Sequence, residues 1–459
     1  MTYLNVVEVE SALRGLANQY PALCSRITLP NQTPEGRTCH ALRLGKKGTQ
    51  KAKGILFTAC QHAREWGGAE ICIYFAADLL EAYLANAGLQ YGNKSFSAAD
   101  VQRIINEMDV FIFPCVNPDG RHFSQTQNPL WRKNRNPAHS NGDPSCVGVD
   151  LNRNYDWLWN FQQDFDPSVT NTFSIASSNP CDFQVYHGPA PHSEPESKNL
   201  VWLLDTFPHI QWLMDIHSYT GTVLHPWGDA PNQTVDSGMN FLNPAYDGKR
   251  GVDDVQQYGE YIAENDLHTY WQVAHLVRDA IGAVRGQWYA VGQSYYLVVA
   301  GGNNTIYPTS GTVDDYAFSR HIADGAKSRV YGFTVEFGLE PDFHPPWNEM
   351  EQIISDVDAG LVEFCLEAEP AMPIPHVPDL VAEILFGIIN DAGGVIIIGG
   401  KPRPIPPWSP LMRDILTGLL MYQQSSHVSD PMRRTLQLQA LRLIEHVAEA
   451  GGAKLEQLE

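Results

Sequence analysis

No apolar run in this chain approaches the roughly 18 to 20 residues that a membrane-spanning helix requires. The best candidate, around Val395–Ile398, is short and bracketed by glycines. A bilayer-spanning chain is therefore not expected. Positive charge is scarce as well: 31 Lys+Arg stand against 52 Asp+Glu in 459 residues, a net charge of −21. Nucleic acids and anionic membrane surfaces recruit Lys/Arg stripes, and none is written here, so neither is expected as a partner. C-x-x-C pairs are missing too. The eight cysteines (Cys24, Cys39, Cys60, Cys72, Cys115, Cys146, Cys181, Cys365) are scattered. That spacing argues against a thiolate zinc site or a dithiol redox motif, and its default reading is a set of small buried hydrophobes. The first residues, Met1-Thr-Tyr-Leu-Asn-Val-Val-Glu-Val-Glu, lack the basic and apolar regions of a secretory leader. This points to the cytoplasm, unless a leader lies outside the sequence.

What is present is globular: 43% hydrophobic and 18% charged residues, enough apolar matter for a sizeable core. Helical apolar spacing runs from Val6 to about Tyr20. Apolar runs at Gly54–Cys60, Val110–Cys115, Trp212–Ile216 and Tyr331–Phe337 read as buried central strands. Between them lie amphipathic segments at Ala69–Tyr83, Glu194–Asp205 and Leu267–Ala283. Buried strands alternating with helices predict a three-layer α/β domain with a mostly parallel or mixed sheet. In such folds the site collects where loops leave the strand ends. Residues 228–266, rich in Asn, Asp, Gly and Pro, read as a loop-like insertion. The Pro-rich stretch 369–380 reads as a stiff linker between residues 1–368 and a small extension, 381–459, of unknown role. That extension holds an apolar segment (381–390), a Gly-Gly-Val-Ile-Ile-Ile-Gly-Gly stretch, a second Pro cluster (401–410) and two amphipathic helices (411–423, 431–450).

Directly after the first buried strand stands Gln61-His-Ala-Arg-Glu-Trp66. A His and a carboxylate three residues apart can present nitrogen and oxygen to one Zn²⁺ if the turn places both on one side. In a chain with 16 His such a pair also arises by chance. Catalytic zinc needs a third protein ligand and an open position. The strand ending at Ile216 delivers His217.

Several blocks now line up: His62-Ala-Arg-Glu65, Val116-Asn-Pro-Asp-Gly120, Leu130-Trp-Arg-Lys-Asn-Arg135, Gly148-Val-Asp-Leu-Asn-Arg-Asn154, Asp215-Ile-His-Ser-Tyr219, Thr305-Ile-Tyr-Pro308 and Phe333-Thr-Val-Glu336. In order and approximate spacing they resemble the zinc carboxypeptidases of the pancreatic A/B type, from about residue 3 to residue 367. The resemblance implies a mixed, mainly eight-stranded twisted sheet flanked by helices, with one Zn²⁺ per chain. By the same resemblance, His62, Glu65 and His217 are the metal ligands, and Asp150 orients the first imidazole, the alternative for Asp150 being a helix cap. Glu336 matches the general base that deprotonates the attacking water and then protonates the leaving amine. Arg132 matches the group that polarises the scissile carbonyl, while Lys133 and Arg135 beside it read as surface charges. Asn152 and Arg153 match the clamp on the substrate's terminal carboxylate, Tyr307 the tyrosine that closes over it, and Arg64 and Tyr219 residues of upstream subsites.

Asp314 falls where A-type enzymes carry an apolar residue and B-type enzymes an aspartate at the base of the specificity pocket. A carboxylate there pairs with Lys or Arg and penalises apolar side chains; as an alternative it caps a turn, and a mixed basic and bulky apolar preference is also open. Cys146 and Cys181 stand where animal enzymes have a disulfide. Such a bond implies an oxidising compartment, secreted or periplasmic, in conflict with the missing leader. The inhibitory pro-domain of many family members is not seen, since Tyr3 already begins the mature-like region. The expected activity is hydrolysis of the last peptide bond of peptides and proteins, with a basic C-terminal residue preferred. The rivals are a zinc amidohydrolase acting on N-acyl amino acids or cell-wall peptides, and a non-catalytic peptide-binding scaffold. Oligomeric state is not legible.

Overall fold

The structure is a computed structural model that describes residues 2–48, 51, 53–254, 257–298, 304–368, 395–398 and 401–404. Two compact units divide the chain. One comprises residues 1–232, 239–260 and 270–369, and the other residues 233–238, 261–269 and 370–459.

The first unit is built on an eight-stranded sheet: β1 (Cys24–Gln32), β2 (Thr38–Leu44), β3 (Lys53–Ala59), β4 (Met108–Phe113), β5 (Ile210–Ser218), β6 (Thr222–His225), β7 (Ala290–Gln293) and β8 (Tyr331–Phe337), in the spatial order β1-β2-β4-β3-β5-β8-β6-β7. The four central strands β4, β3, β5 and β8 run parallel; β1 and β2 on one side pair antiparallel with their neighbours, and on the other side β6 pairs antiparallel with β8 and parallel with the edge strand β7. The central strands are the apolar runs visible in the sequence, because a parallel strand covered on both faces must be apolar along its whole length. Every residue of β3 and β4 is buried. The outer strands β1, β2, β6 and β7 carry no such run and are held by pairing to their neighbours.

Helices cover both faces. On one face Phe57 of β3 meets Phe75 of the helix Gly67–Ala85 at 5.1 Å and Phe364 of the helix Trp347–Glu367 at 5.8 Å. Trp212 and Phe333 approach Phe364 at 6.0 and 5.3 Å, so three strands share one aromatic seam. Side chains alternate along a strand, so Gly332, between Tyr331 and Phe333, faces the other side. There the helix Val313–Ala323 comes so close that a Cβ on Gly332 would sit 2.4 Å from the Asp314 carbonyl oxygen. The first helix, Val6–Gln19, starts with a reciprocal cap between Asn5 and Glu8 and buries Val6, Val9 and Leu13, the spacing read from the sequence.

Within the insertion, Arg250 is fully buried among Asp247, Tyr258 and the carbonyls of Asp164, Asn240 and Phe241. In the second unit the described part of the tail is an antiparallel strand pair, Val395–Ile398 with Lys401–Pro404. The 369–380 linker, the 381–390 segment and the expected helices at 411–423 and 431–450 lie outside the described residues.

The helix Pro195–Thr206 opens on two buried carboxylates. Glu194 and Glu196 are both at 0% exposure and share the Asn134 amide at 2.7 and 3.1 Å. Burial, then the Glu194 charge, pushes Glu196 up to about 8 from an ordinary 4.5. A carboxyl with a raised folded-state pKa favours its neutral form in the fold, so its contribution is intact below pH 4.5 and is lost as pH rises to 8. Glu196→Gln should therefore unfold at the wild-type temperature at pH 4.5 and at a higher temperature than wild type at pH 8.5. Parallel thermal melts that run the same at both pH values would sink this account.

Candidate metal centre and surrounding cleft

β3 ends at Ala59, Cys60 turns into the left-handed region (φ 58°), and the His62 carbonyl accepts the Glu65 N–H at 3.2 Å. This turn puts His62 and Glu65 on one side, and Ala63 N–H donates to the Arg132 carbonyl at 2.9 Å to fasten it. His217 arrives from β5. The three side chains are 5, 3 and 1% exposed, and their ligand atoms all lie within 4.8 Å of one another. Glu65 Oε1 is 2.8 Å from His62 Nδ1, Glu65 Oε2 is 2.9 Å from His217 Nδ1, and the two Nδ1 atoms are 3.0 Å apart.

Each imidazole is backed by its own carboxylate. Asp150 Oδ1 lies 3.2 Å from His62 Nε2, and Asp215 Oδ2 contacts His217 Nε2. A carboxylate at Nε2 favours the tautomer with its hydrogen there and turns the Nδ1 lone pair inward. The donor set of two imidazole nitrogens and one carboxylate suits Zn²⁺, and its arrangement fits a single ion. Burial alone would raise Glu65, but the two imidazoles outweigh it and hold the carboxyl well below its usual range. Burial likewise opposes a charged His217, yet Asp215 and Glu65 hold it well above its ordinary value. The pocket is thus electrostatically set for positive charge beside Glu65.

Asp215 is a site residue that the sequence reading left without a role. It is fully buried, accepts Thr58 Oγ1 at 2.6 Å and the Gln61 amide, and Gln61 in turn accepts the Tyr155 hydroxyl at 2.8 Å. A signal was available. Asp215 and His217 are two apart on a strand and so share a face.

Asp150 makes contacts on several sides. It faces His62, and its Oδ1 also accepts the Asn152 N–H at 3.1 Å as a cap. Its Oδ2 takes Arg132 Nη2 at 2.9 Å and Nε at 3.1 Å, and Arg132 Nε also reaches the Gln184 carbonyl at 3.0 Å. Burial works against the Arg132 charge, but Asp150, then Tyr307 and Glu65, outweigh it. Glu336 pairs with His217 in the parallel register of β5 and β8. Burial pushes its carboxyl up to about 7, helped by Glu65 and opposed by His217 and Arg132.

Asn152 Oδ1 accepts the Val313 N–H at 2.9 Å, which leaves its NH₂ as the group on offer. Arg153 is 2% exposed, with Nε and Nη2 on the Ser174 carbonyl at 3.0 and 2.8 Å and Nη1 on the Asn152 carbonyl at 2.6 Å. Gly311, at φ 67°, fits against Arg153 because any Cβ would meet the Arg153 carbonyl oxygen at 2.3 Å. Tyr307 is half-buried, its N–H on the Tyr295 carbonyl at 2.8 Å and its ring edge-on to the exposed Phe173 at 5.8 Å. Asp314 is 4% exposed in the first turn of its helix, and its Oδ2 accepts Ser294 Oγ at 3.1 Å and Thr334 Oγ1 at 3.3 Å. Arg64 donates to Gln184 Oε1 at 3.0 Å and lies 4.4 Å over the Phe343 ring, on which Tyr219 also packs at 4.6 Å. Gln184, Phe343, Ser174 and Ser294 lie outside the motif blocks and escaped the sequence reading.

Two expectations are corrected. Lys133 is buried, not a surface charge: its Nζ donates to the Pro180 carbonyl at 2.9 Å, and burial lowers it to about 8. Arg135 stacks 3.8 Å over Phe123 and 4.7 Å over Trp131, because its apolar stem and planar head cover aromatic surface. Cys146 and Cys181 are joined in a disulfide, while the six other cysteines are free and buried.

If Asp215 orients His217 as described, Asp215→Asn should weaken Zn²⁺ binding by about 10- to 100-fold. Competition with a chromophoric chelator measures this, and unchanged affinity would show that the carboxylate serves the sheet alone.

Comparison with known proteins fits this geometry. A family model described as zinc carboxypeptidase matches residues 9–359. Mouse carboxypeptidase A4 is 28% identical over 322 residues, 70% of this chain and 59% of that protein, and human carboxypeptidase B is 27% identical over 330 residues, 72% and 61%. This chain thus spans about three-fifths of the length of these curated relatives. Among solved structures, thrombin-activatable fibrinolysis inhibitor superposes with a TM-score of 0.58 at 21% identity, covering 79% of this chain and 74% of that one. Carboxypeptidase A from Helicoverpa armigera gives 0.57 at 22% identity, covering 80% and 73%. The sheet order and flanking helices are those of this fold, and the chain belongs to the zinc carboxypeptidase family, Peptidase M14, which implies one Zn²⁺ per chain.

Proposed function

We propose that this protein is a zinc-dependent carboxypeptidase that removes the last residue of peptides and proteins and prefers Lys or Arg there. The observation that carries the reading is the convergence of His62, Glu65 and His217 beside Glu336. A bound Zn²⁺ supplies Lewis acidity, which polarises a carbonyl and makes water nucleophilic near neutral pH.

The chain's own groups do the rest. Glu336, held near neutrality by burial, takes the proton of the attacking water and passes it to the leaving amine. Arg132, fixed by Asp150, donates to the oxygen on which negative charge develops. The Asn152 amide and Arg153 receive the terminal carboxylate, which as an anion is a stronger acceptor than the Ser174 carbonyl. Tyr307 closes over the substrate, and Arg64 and Tyr219, braced by Phe343, line the upstream side. Asp314 receives the basic side chain. Curated relatives include both A-type and B-type enzymes, so the basic preference rests on Asp314 alone.

Zinc-loaded protein is expected to release arginine from hippuryl-Arg faster than phenylalanine from hippuryl-Phe, and to spare a peptide ending in a D-amino acid. Glu336→Gln should lower kcat by about 10²- to 10⁴-fold while zinc stoichiometry stays at one per chain. A variant as active as wild type would rule out the assigned base. Asp314→Ile should shift preference from Arg towards Phe; no shift removes Asp314 from the pocket.

A further inference from the structure

We infer that Ser294 is a positioning residue for basic specificity: its hydroxyl fixes the Asp314 carboxylate so that one oxygen faces the substrate cation. The inference rests on the reading of Asp314 as the pocket carboxylate. Ser294 follows β7, at the edge of the sheet, and lies outside every motif block that carries the family resemblance.

Asp314 lacks the cationic partner that several buried carboxylates near the cleft and the sheet possess. Asp109 pairs with Arg43, Asp119 with Arg37 at 2.6 Å, and Asp150 with Arg132 at 2.9 Å. Asp314, at 4% exposure, has no ion pair among the described residues; its partners are the hydroxyls of Ser294 and Thr334. Neutral donors orient a carboxylate without placing a competing cation beside it, so the position for a cationic ligand is not already taken. Both hydroxyls bond Oδ2. They come from two different segments, one after β7 and one in β8, which stops rotation of the carboxylate plane and leaves Oδ1 to the incoming group.

Ser294 has one hydroxyl hydrogen and two acceptors at 3.1 Å, Asp314 Oδ2 and the His225 carbonyl. The His225 carbonyl already receives the Ser294 N–H at 2.8 Å. The carboxylate is the charged and stronger acceptor, so the hydrogen goes there. The same backbone bond anchors Ser294 independently of its side chain, so removing the hydroxyl leaves the chain path intact. Thr334 is a weaker candidate for this role, since it lies two residues before Glu336 on the same face and its replacement would also disturb the catalytic strand.

The test is steady-state kinetics of the zinc-loaded full chain on hippuryl-Arg and hippuryl-Phe, with Ser294→Ala and Ser294→Thr. Ser294→Ala is expected to raise KM for hippuryl-Arg by about 5- to 10-fold, the worth of one charge-assisted hydrogen bond, with kcat within about twofold and hippuryl-Phe little affected. Ser294→Thr, which restores the hydroxyl, should return KM to near the wild-type value. An unchanged Arg-to-Phe ratio in Ser294→Ala overturns the inference, as does an equal loss on both substrates, which marks a merely structural role. Failure of the Asp314 reading has a separate signature: wild-type protein without an arginine preference, and Asp314→Ile without a shift.

Discussion

A carboxylate at zero exposure in the middle of a parallel sheet is costly unless every lone pair has a partner, and Asp215 is such a group. Thr58, its register neighbour on β3, donates to one oxygen, and Gln61 and the His217 imidazole share the other. The interaction therefore does two jobs at once. It ties β3 to β5 through side chains as well as backbone, and it holds the two segments that carry His62 with Glu65 and His217 at a separation where their donor atoms meet. A one-residue slip between these strands would turn Asp215 towards the aromatic seam of Phe57 and Trp212, where nothing can satisfy it. The demand for partners thus specifies the register on which the metal centre depends.

The same economy governs the rest of the cleft. Strand alternation sends Phe333, Val335 and Phe337 one way and Thr334 and Glu336 the other, so one apolar strand serves both core and chemistry. Charges in the cleft are arranged in chains rather than isolated pairs: Arg132 to Asp150 to His62, then Glu65 to His217 to Asp215. The two imidazoles hold Glu65 down, while burial pushes Glu336, which lacks a comparable pair of partners, up. Asp314 lies outside these chains, held by the hydroxyls of Ser294 and Thr334.

Much of this was legible in the amino-acid order. β3, β4, β5 and β8 announce themselves because burial on both faces demands unbroken apolar runs, and residues at or just beyond the ends of β3, β5 and β8 are among those that meet in the cleft. β1, β2, β6 and β7 do not, since half-exposed or short strands are specified by their neighbours and not by their own composition. His62 and Glu65 follow the end of β3, and His217 and Glu336 stand near the ends of β5 and β8, whereas Asp150 stands in a block that caps a short helical turn. Asp215 belongs to a motif block too, but its partners Thr58 and Gln61 lie more than 150 positions away, and only the paired strands reveal the contact. Lys133 and Arg135 look like surface charges because sequence shows their heads and not the carbonyl or the rings that receive them. Ser294 carries no signal at all, since a hydroxyl is ambiguous until its acceptor is known.

The disulfide has a meaning beyond its own stability. It closes a loop of 35 positions, Cys146 to Cys181, and that loop contains Asp150, Asn152 and Arg153, together with the Ser174 carbonyl on which Arg153 rests. Closing a loop of this length removes on the order of 4 kcal/mol of chain freedom from the unfolded ensemble in the simplest entropic model. Here much of the freedom removed belongs to groups proposed to meet the ligand's carboxylate end. The crosslink therefore acts as a frame around a recognition segment that has almost no regular secondary structure to stiffen it, so that the ordering of these groups is largely complete before a ligand arrives.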